Sequence, residues 1–513
     1  MITKNKQLKV GIVISFFNLA LGNLIPFIYT PIMLRILGQA EYGLYGIASS
    51  VMGYVQLLNF GIGGAIVRYI AKYRAEGDKK QEEAVIGLFI KLYCCIAVLI
   101  MCAGFFASDN LEIFSRSMTE NEILELRILV RFMTINMAIF LPFSVFSSIT
   151  LAHEEYVFNK IMDIGCTVLT PLLNIIMLFQ GKGAIGLVAT TTIVQAFTYS
   201  IYCYYSLKRL KIHPRFNIRI PGLVKEIGMF SFFVFLGSIV DTLYWTTDKL
   251  IIGWALGTVA TAVYNIGATF NGYVTSLSTA ISGVLTPKVT IMSVEGANGE
   301  TFTKLFIKIG RLQFILVSFI VSAFVAFGQQ FIELWAGKNY IQAYYVALLV
   351  MIPVTIPLIQ NTGINILYAL NKHQFRSITY LVIAIINIVL TFWWVESYGI
   401  IGAAMATCVA YVVGNIFVMN WYYWKRIGID IPLFWKNIVK MSPVMIIMLL
   451  VGKEIVQHWW KRTWGSFLLI AIGYTIVYFA LAYVFMMNDY ERNTFKSPLT
   501  KLISKLKRKQ GEE

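Results

Sequence analysis

Residues 37–58 read LGQAEYGLYGIASSVMGYVQLL, and residues 256–277 read LGTVATAVYNIGATFNGYVTSL. Aligned without gaps at an offset of 219, the two stretches are identical at eight of 22 positions. Each begins a long apolar segment of the chain. Two copies of one pattern in equivalent places indicate that the fold contains an internal duplication.

A second pair of short motifs supports the duplication. Gly183-Ala-Ile-Gly186 precedes the sixth predicted membrane span, and Gly399-Ile-Ile-Gly402 precedes the twelfth. Both pairs of copies are therefore separated by six spans. Because six is even, the two copies insert into the membrane with the same orientation, which predicts two parallel six-helix lobes.

The composition places the chain in a membrane. Of its 513 residues, 58% are hydrophobic and 13% are charged, whereas a soluble domain has about 25% charged residues. The mean hydropathy is +0.70. A water-soluble fold could not bury so much apolar surface, so the sequence predicts an all-α integral membrane protein.

About fourteen segments are long and apolar enough to span a bilayer, which needs about 20 residues per helix. They are 10–34, 43–67, 84–107, 126–150, 161–180, 185–206, 228–247, 258–284, 309–330, 344–368, 377–395, 400–422, 439–457 and 465–487. This predicts a first lobe at 1–206, a second lobe at 207–422, two further helices at 423–487 and a basic tail at 488–513.

The basic residues give the orientation and argue against nucleic acid. The net charge is +17, but the Lys and Arg residues lie in short loops rather than in a soluble basic domain. Of the 43 basic residues, 32 fall on one side of the predicted membrane and 10 on the other. The positive-inside rule then predicts that both termini are cytoplasmic and that anionic lipids contact the loops.

No motif of an enzyme is visible in the sequence. The six cysteines all lie in apolar segments, without a CxxC pair or a Cys/His cluster. There is no Walker motif and no Ser/His/Asp arrangement, and the longest external loop, about 108–125, has no room for a catalytic domain. We therefore expect a protein that is not an enzyme, without catalytic residues, metal ion or cofactor.

The sequence resembles a known family at four motifs. These are LGQAEYGLY at 37–45, FGIGGA at 60–65 followed by Arg68 and Tyr69, DKLIIG at 248–253 followed by Tyr264, and GIIGAA at 399–404. They are similar to the polysaccharide transporters, the Wzx-type O-antigen and capsule flippases, of the multidrug/oligosaccharidyl-lipid/polysaccharide (MOP) superfamily. The resemblance covers most of the chain, through both lobes.

The resemblance implies a function. Members of this family carry an undecaprenyl-diphosphate-linked oligosaccharide from the cytoplasmic to the periplasmic leaflet of the bacterial inner membrane. They do so by alternating access, around a central cavity lined by spans one, two, seven and eight. The implied partners are the lipid-linked oligosaccharide, the membrane lipids, and a polysaccharide polymerase with its chain-length machinery.

Basic and amide side chains near the presumed cavity are candidates for substrate binding. Arg35 and Arg68 could contact the diphosphate or glycan, although each could equally be an interfacial charge that reaches the head groups. The asparagines could bind sugar hydroxyls, although Asn in a bundle more often bonds a neighbouring helix. The candidate asparagines are Asn18, Asn23, Asn59, Asn265 and Asn271.

Two carboxylates on the seventh span are candidates for ion coupling. Asp241 and Asp248 are seven residues apart and so share a helix face. A carboxylate inside a membrane can bind H⁺ or Na⁺ and couple transport to an ion gradient. A local ion pair between Asp248 and Lys249 is the alternative.

Three other functions remain open from the sequence. A multidrug cation exporter has the same architecture, but typically places carboxylates in its spans, and span one has none. A flippase for a peptidoglycan precursor lipid also fits. A membrane glycosyltransferase or polymerase fits less well, because it generally needs a sizeable external loop and paired carboxylates near the first span.

Overall fold

The computed structural model describes residues 4–217, 222–283 and 286–493. In these ranges every regular element is a helix, which confirms the predicted all-α class. Ten of the helices described are long and apolar enough to cross a membrane. The backbone of such helices satisfies its own hydrogen bonds, as a chain in hydrocarbon must.

Fifteen α-helices are labelled here in chain order. They are α1 (Lys4–Gln56), α2 (Ile62–Ala75), α3 (Lys79–Asp109), α4 (Glu120–Ala152), α5 (Tyr156–Phe179), α6 (Gly183–Tyr204), α7 (Leu223–Gly283), α8 (Thr286–Val294), α9 (Gly299–Trp335), α10 (Gln342–Ile359), α11 (Thr362–Ala369), α12 (His373–Tyr411), α13 (Ile431–Val439), α14 (Ser442–Trp459) and α15 (Trp464–Leu481). Helical turns extend α12 to Ile427 and α15 to Met486.

Glycines break the three longest helices into two arms each. The breaks are at Gly38 in α1 (φ 77°, ψ 177°), Gly257 in α7 (φ 85°, ψ −169°) and Gly399 in α12 (φ 60°, ψ −143°). Residues other than glycine rarely adopt a positive φ. A glycine at these positions therefore lets an apolar helix end and a second one begin without a loop.

The backbone repeats where the sequence repeats. Gly38 and Gly257 are equivalent positions of the duplicated stretch, and their φ and ψ angles differ by less than about 15°. Gly183 and Gly399, the first glycines of the second motif pair, also share a positive φ, of 54° and 60°. The sequence duplication thus corresponds to a duplication of local backbone conformation.

The first of two compact units comprises Met1–Asn265 and Asn387–Ala403. In it α3 packs on α4, and α1 packs on α5. The buried core lies among the second arm of α1 and helices α2, α3 and α4. Its fully buried side chains include Ile47, Ile66, Phe89 and Leu126.

The second unit comprises Ile266–Ile386 and Ala404–Glu513. Here α9 packs on α10, α13 and α14. Its core is richer in aromatic residues, and includes Phe306, Phe434 and Tyr478, with the Phe306 and Phe434 rings edge to face at 4.8 Å. Such pairs add to the stabilisation that burial already gives.

Several predictions about architecture are not tested by these features. The count of fourteen spans, the division at residues 206, 422 and 487, and the cytoplasmic termini stay predictions. Of the predicted basic tail, residues 494–513 lie outside the described part of the chain.

Candidate functional site

The two candidate arginines belong to the first unit. Arg35 is exposed near the end of the first arm of α1, and Arg68 is exposed on α2. The guanidinium carbon of Arg68 lies 6.0 Å from the ring centroid of its neighbour Tyr69. Exposure leaves both the substrate-binding and the head-group interpretation open.

The asparagines of the first arm of α1 differ in their bonding. Asn23 donates from Nδ2 to the carbonyl of Leu19 in its own helix, at 2.8 Å. The Oδ1 atom of Asn18 is buried and, within the described residues, has no hydrogen-bond partner. Buried amide oxygens without partners are rare in folded proteins, so they mark places where a ligand or water could bind.

The asparagines of the second arm of α7 have different surroundings. The amide of Asn265 packs over Gly46, where an added Cβ would lie 3.0 Å from the Asn265 Nδ2 atom. Asn271 belongs to the second unit and is fully buried. Among the described residues its Nδ2 and Oδ1 atoms both lack a partner. The role of the five asparagines in substrate binding stays a prediction.

Asp248 is the centre of a buried polar cluster in the first unit. Only 3% of its surface is exposed. Tyr264 donates its hydroxyl proton to Oδ2 at 2.6 Å. Thr391 donates to Oδ1 at 3.2 Å, and Asn387 donates to the same atom at 3.4 Å. Three uncharged donors thus converge on one carboxylate, from the second arm of α7 and the first arm of α12.

The other two ion-coupling candidates lie on the same helix as Asp248. Asp241 lies two turns earlier on the first arm of α7 and is exposed. Lys249 is half-buried and interacts electrostatically with Asp248, its neighbour in sequence. Asp241 and Asp248 are seven residues apart and lie on one face of α7, and Asp248 accepts hydrogen bonds from two residues of α12. The role of all three residues in ion coupling stays a prediction.

A cavity of about 450 Å³ opens inside the first unit, between the second arm of α1, α4 and α6. Asn59 lines it, and its Oδ1 atom is buried without a hydrogen-bond partner in the described residues. The other polar groups on the wall include Tyr45, Asn136, Gln195 and Tyr199. Sequence analysis missed the residues of α4 and α6, because nothing in their local pattern shows that they face Asn59.

Sequence analysis also missed a pair of glutamates. Glu41 accepts a 2.6 Å hydrogen bond from the backbone N–H of Ala184 and so caps the N-terminus of α6. Glu125 of α4 lines a second cavity of about 430 Å³ together with Glu41. The EYG motif, which contains Glu41, was the signal that could have pointed to this pair.

A metal centre is not among the features described. In residues 4–217, 222–283 and 286–493, no three His, Cys, Asp or Glu side chains lie close enough together to hold a metal ion.

Comparisons by sequence identify relatives over most of the chain. A family model described as "Polysaccharide biosynthesis protein" matches residues 8–293, more than half of the chain. A protein of Shigella flexneri, named "Putative O-antigen transporter", is 19% identical over 426 residues, which cover 81% of this chain and 97% of that relative.

Comparisons of structure identify a shared transporter fold. "Lipid II flippase MurJ, inward closed conformation" superposes with a TM-score of 0.71 at 15% identity, over 92% of this chain and 98% of that one. An inward-facing multidrug resistance MATE family transporter of the MOP superfamily superposes with a TM-score of 0.61 at 15% identity, over 82% and 99%. At these identities the likeness shows the fold alone.

Proposed function

The chain belongs to the polysaccharide biosynthesis protein family, and on that premise we propose that it flips an undecaprenyl-diphosphate-linked oligosaccharide across the bacterial inner membrane, from the cytoplasmic to the periplasmic leaflet. Family and fold together make it a multi-pass membrane transporter of the MOP superfamily. The observation that most supports the finer proposal is the alignment with the Shigella flexneri protein over 97% of that relative.

Transport by alternating access fits the interrupted helices. Gly38 and Gly257 break α1 and α7 at equivalent positions, so each arm can tilt without bending a continuous helix. Pro26 and Pro31 remove further backbone hydrogen bonds from the first arm of α1. Arg35 and Arg68 supply positive charge for the diphosphate, while amide side chains bond the sugars.

Coupling to a gradient of H⁺ or Na⁺ is proposed at Asp248. The carboxylate is buried and accepts hydrogen bonds from Tyr264, Thr391 and Asn387. A carboxylate in the membrane interior can bind a proton or a sodium ion. Binding of either ion would alter the hydrogen bonds that join α7 to α12. An ion gradient could then drive the conformational change.

The product has a defined fate under this proposal. A lipid-linked repeat unit that reaches the periplasmic leaflet is consumed by a polysaccharide polymerase acting with chain-length machinery. These proteins are the expected partners at the outer face.

Deletion of the gene in the native host tests the proposal. We expect loss of the surface polysaccharide together with accumulation of the completed lipid-linked unit in the cytoplasmic leaflet. Complementation with the wild type should restore the glycan. Arg68→Ala, on α2, should restore it poorly. Lys80→Ala removes another exposed charge, at the start of the next helix, α3, and should restore it fully.

Other outcomes would assign the protein to the alternatives. An unchanged glycan with greater sensitivity to cationic drugs would identify a multidrug exporter. Accumulation of peptidoglycan precursor with cell lysis would identify a flippase for that lipid.

A further inference from the structure

The cavity between the second arm of α1, α4 and α6 has walls without charge. All sixteen residues that line it are uncharged, in a chain whose net charge is +17. Placing an ion in a buried site without a counter-charge costs several kcal/mol or more. The lining therefore disfavours both a phosphate and a drug cation, and favours a neutral ligand.

Amide groups supply the polar part of the wall. Gln56 is the last residue of α1 and Asn59 lies in the turn that follows it, whereas Asn136 comes from α4 and Gln195 from α6. The Asn59 Oδ1 atom is buried and unpaired among the described residues. The Asn136 Nδ2 atom donates to Thr192 Oγ1 at 2.8 Å, which fixes the orientation of that amide. An amide offers both donors and an acceptor, as needed to bind a hydroxyl group, which is itself both.

Aromatic faces supply the apolar part. The rings of Phe140 and Tyr199 stack across α4 and α6, with centroids 5.7 Å apart and planes inclined by 23°. Met133 and Met137 line the same wall, and the flexible methionine side chain adapts to irregular ligands. A pyranose ring has hydroxyl groups around its edge and apolar C–H groups on its faces. Amides beside aromatic rings match both parts of it.

The cavity also has suitable size and access. Its volume of about 450 Å³ lies within the range of small-molecule sites, about 300–1,000 Å³. Ser49 and Gln56 are exposed, so the cavity is open on the side of α1. A sugar unit could therefore enter without unfolding of the helices.

We propose that this cavity is a binding subsite for one uncharged sugar unit, such as a neutral hexose or N-acetylhexosamine, of the transported glycan. The inference rests on the proposed function and adds to it: the lipid diphosphate is bound by basic residues elsewhere, while the first unit selects a neutral sugar. Selectivity for the glycan then depends on α4 and α6, as well as on the helices of the presumed central cavity.

Direct binding to the purified protein in lipid nanodiscs tests this assignment. Saturation-transfer NMR would use glucose, galactose and N-acetylglucosamine as probes, with glucuronic acid as the charged counterpart. We expect saturation transfer to at least one neutral sugar and markedly less to glucuronic acid. Gln195→Met keeps the side-chain volume and removes the amide, so it should weaken that binding about tenfold, the equivalent of one lost hydrogen bond.

Matched variants separate the cavity from the rest of the surface. Tyr199→Ala should abolish the signal, whereas Phe197→Ala, which removes an exposed ring from the same helix, should not. Gln180→Met at the exposed end of α5 is the control for Gln195→Met. Equal sugar binding by the cavity variants and the controls would overturn the proposal, as would absence of binding of every neutral sugar by the wild type.

This assay does not depend on translocation, so the two proposals can fail separately. Normal glycan export in the deletion strain would overturn the transport function, even if the cavity bound sugars. Loss of export in the deletion strain, with no neutral sugar bound by the wild type, would overturn the subsite and leave the transport function intact.

Discussion

One glutamate side chain caps the start of α6. The Glu41 carboxyl group accepts a hydrogen bond of 2.6 Å from the backbone N–H of Ala184. Gly183, the first residue of α6, has a φ of 54°. A Cβ at Gly183 would overlap the Glu41 carboxyl oxygen. The glutamate and the glycine therefore depend on each other.

Replacing Gly183 should destabilise this helix start. We expect Gly183→Ala to lower the unfolding free energy by about 1–2 kcal/mol, since it introduces strain at positive φ and displaces the cap. Thermal unfolding in detergent measures the effect. Gly165→Ala is the control, because it lies within α5 with nothing within 4 Å of its added Cβ; equal melting temperatures for the two variants would contradict this account.

Asp248 gives the corresponding prediction for transport. Asp248→Asn keeps the shape of the side chain but cannot gain or lose a proton, so surface polysaccharide should fall about tenfold or more at equal expression. Tyr264→Phe removes only the 2.6 Å donor and should have a smaller effect.

The control for the charge is Asp489→Asn, at a carboxylate with 96% of its side chain exposed. Normal export by Asp248→Asn would show that coupling does not occur at this carboxylate. Comparison of imposed pH and Na⁺ gradients in proteoliposomes would then identify the ion that the wild type uses.

At the scale of elements, glycines decide where the long helices end. Gly38 and Gly257 have nearly the same backbone angles, but their surroundings differ. A Cβ at Gly257 would lie 2.6 Å from the carbonyl oxygen of Ser117, whereas a Cβ at Gly38 has nothing within 4 Å. The backbone at the break in α7 is therefore packed against a neighbouring segment, whereas the backbone at the break in α1 has open space beside it.

This difference predicts unequal effects of one substitution. Gly38→Ala should cost about 1–3 kcal/mol from backbone strain alone. Gly257→Ala should cost more, because the backbone of Ser117 must move as well. Melting temperatures of the two purified variants compare them directly; a larger loss for Gly38→Ala would refute the steric argument.

An ion pair fixes the last described helical segment to α9. Arg311 donates from Nε and Nη2 to the two carboxyl oxygens of Glu491 at 2.6 and 2.8 Å. The exposed fractions of the two side chains are 11% and 1%. Arg311→Ala would leave Glu491 buried without its counter-charge, so we expect a loss of about 3–5 kcal/mol.

The control for this pair is Lys304→Ala on the same helix. Lys304 pairs with Glu300 at the surface, where the side chains are 75% and 71% exposed. Its removal should change stability by less than about 1 kcal/mol. Similar losses for both variants in a thermal unfolding assay would show that burial of the Arg311–Glu491 pair is unimportant.

For the whole molecule, the distribution of charge predicts the topology. With 32 basic residues on the predicted inner side and 10 on the outer, both termini should be cytoplasmic. A C-terminal fusion to green fluorescent protein should therefore fluoresce, and a fusion to alkaline phosphatase should be inactive. An active phosphatase would require an odd number of spans or the opposite orientation.

The sequence by itself determined the membrane class, the helical architecture, the family and the duplication. Each of these depends on local features, such as apolar segments of span length or short motifs with glycine. Even the positions of two helix breaks, Gly38 and Gly257, lie within the duplicated stretch. Local features suffice here because a helix in lipid satisfies its own backbone and needs no distant partner.

Only the tertiary structure decided which polar residues meet. The donors to Asp248 from α12 lie 139 and 143 residues further along the chain. The cavity joins Asn59 to Asn136 and Gln195 on two other helices, and Glu41 reaches Ala184. Amides and hydroxyls in a span give no sign of their rotation about the helix axis. That rotation follows from how whole helices pack, so no sequence pattern could distinguish residues that line a site from residues that join two helices.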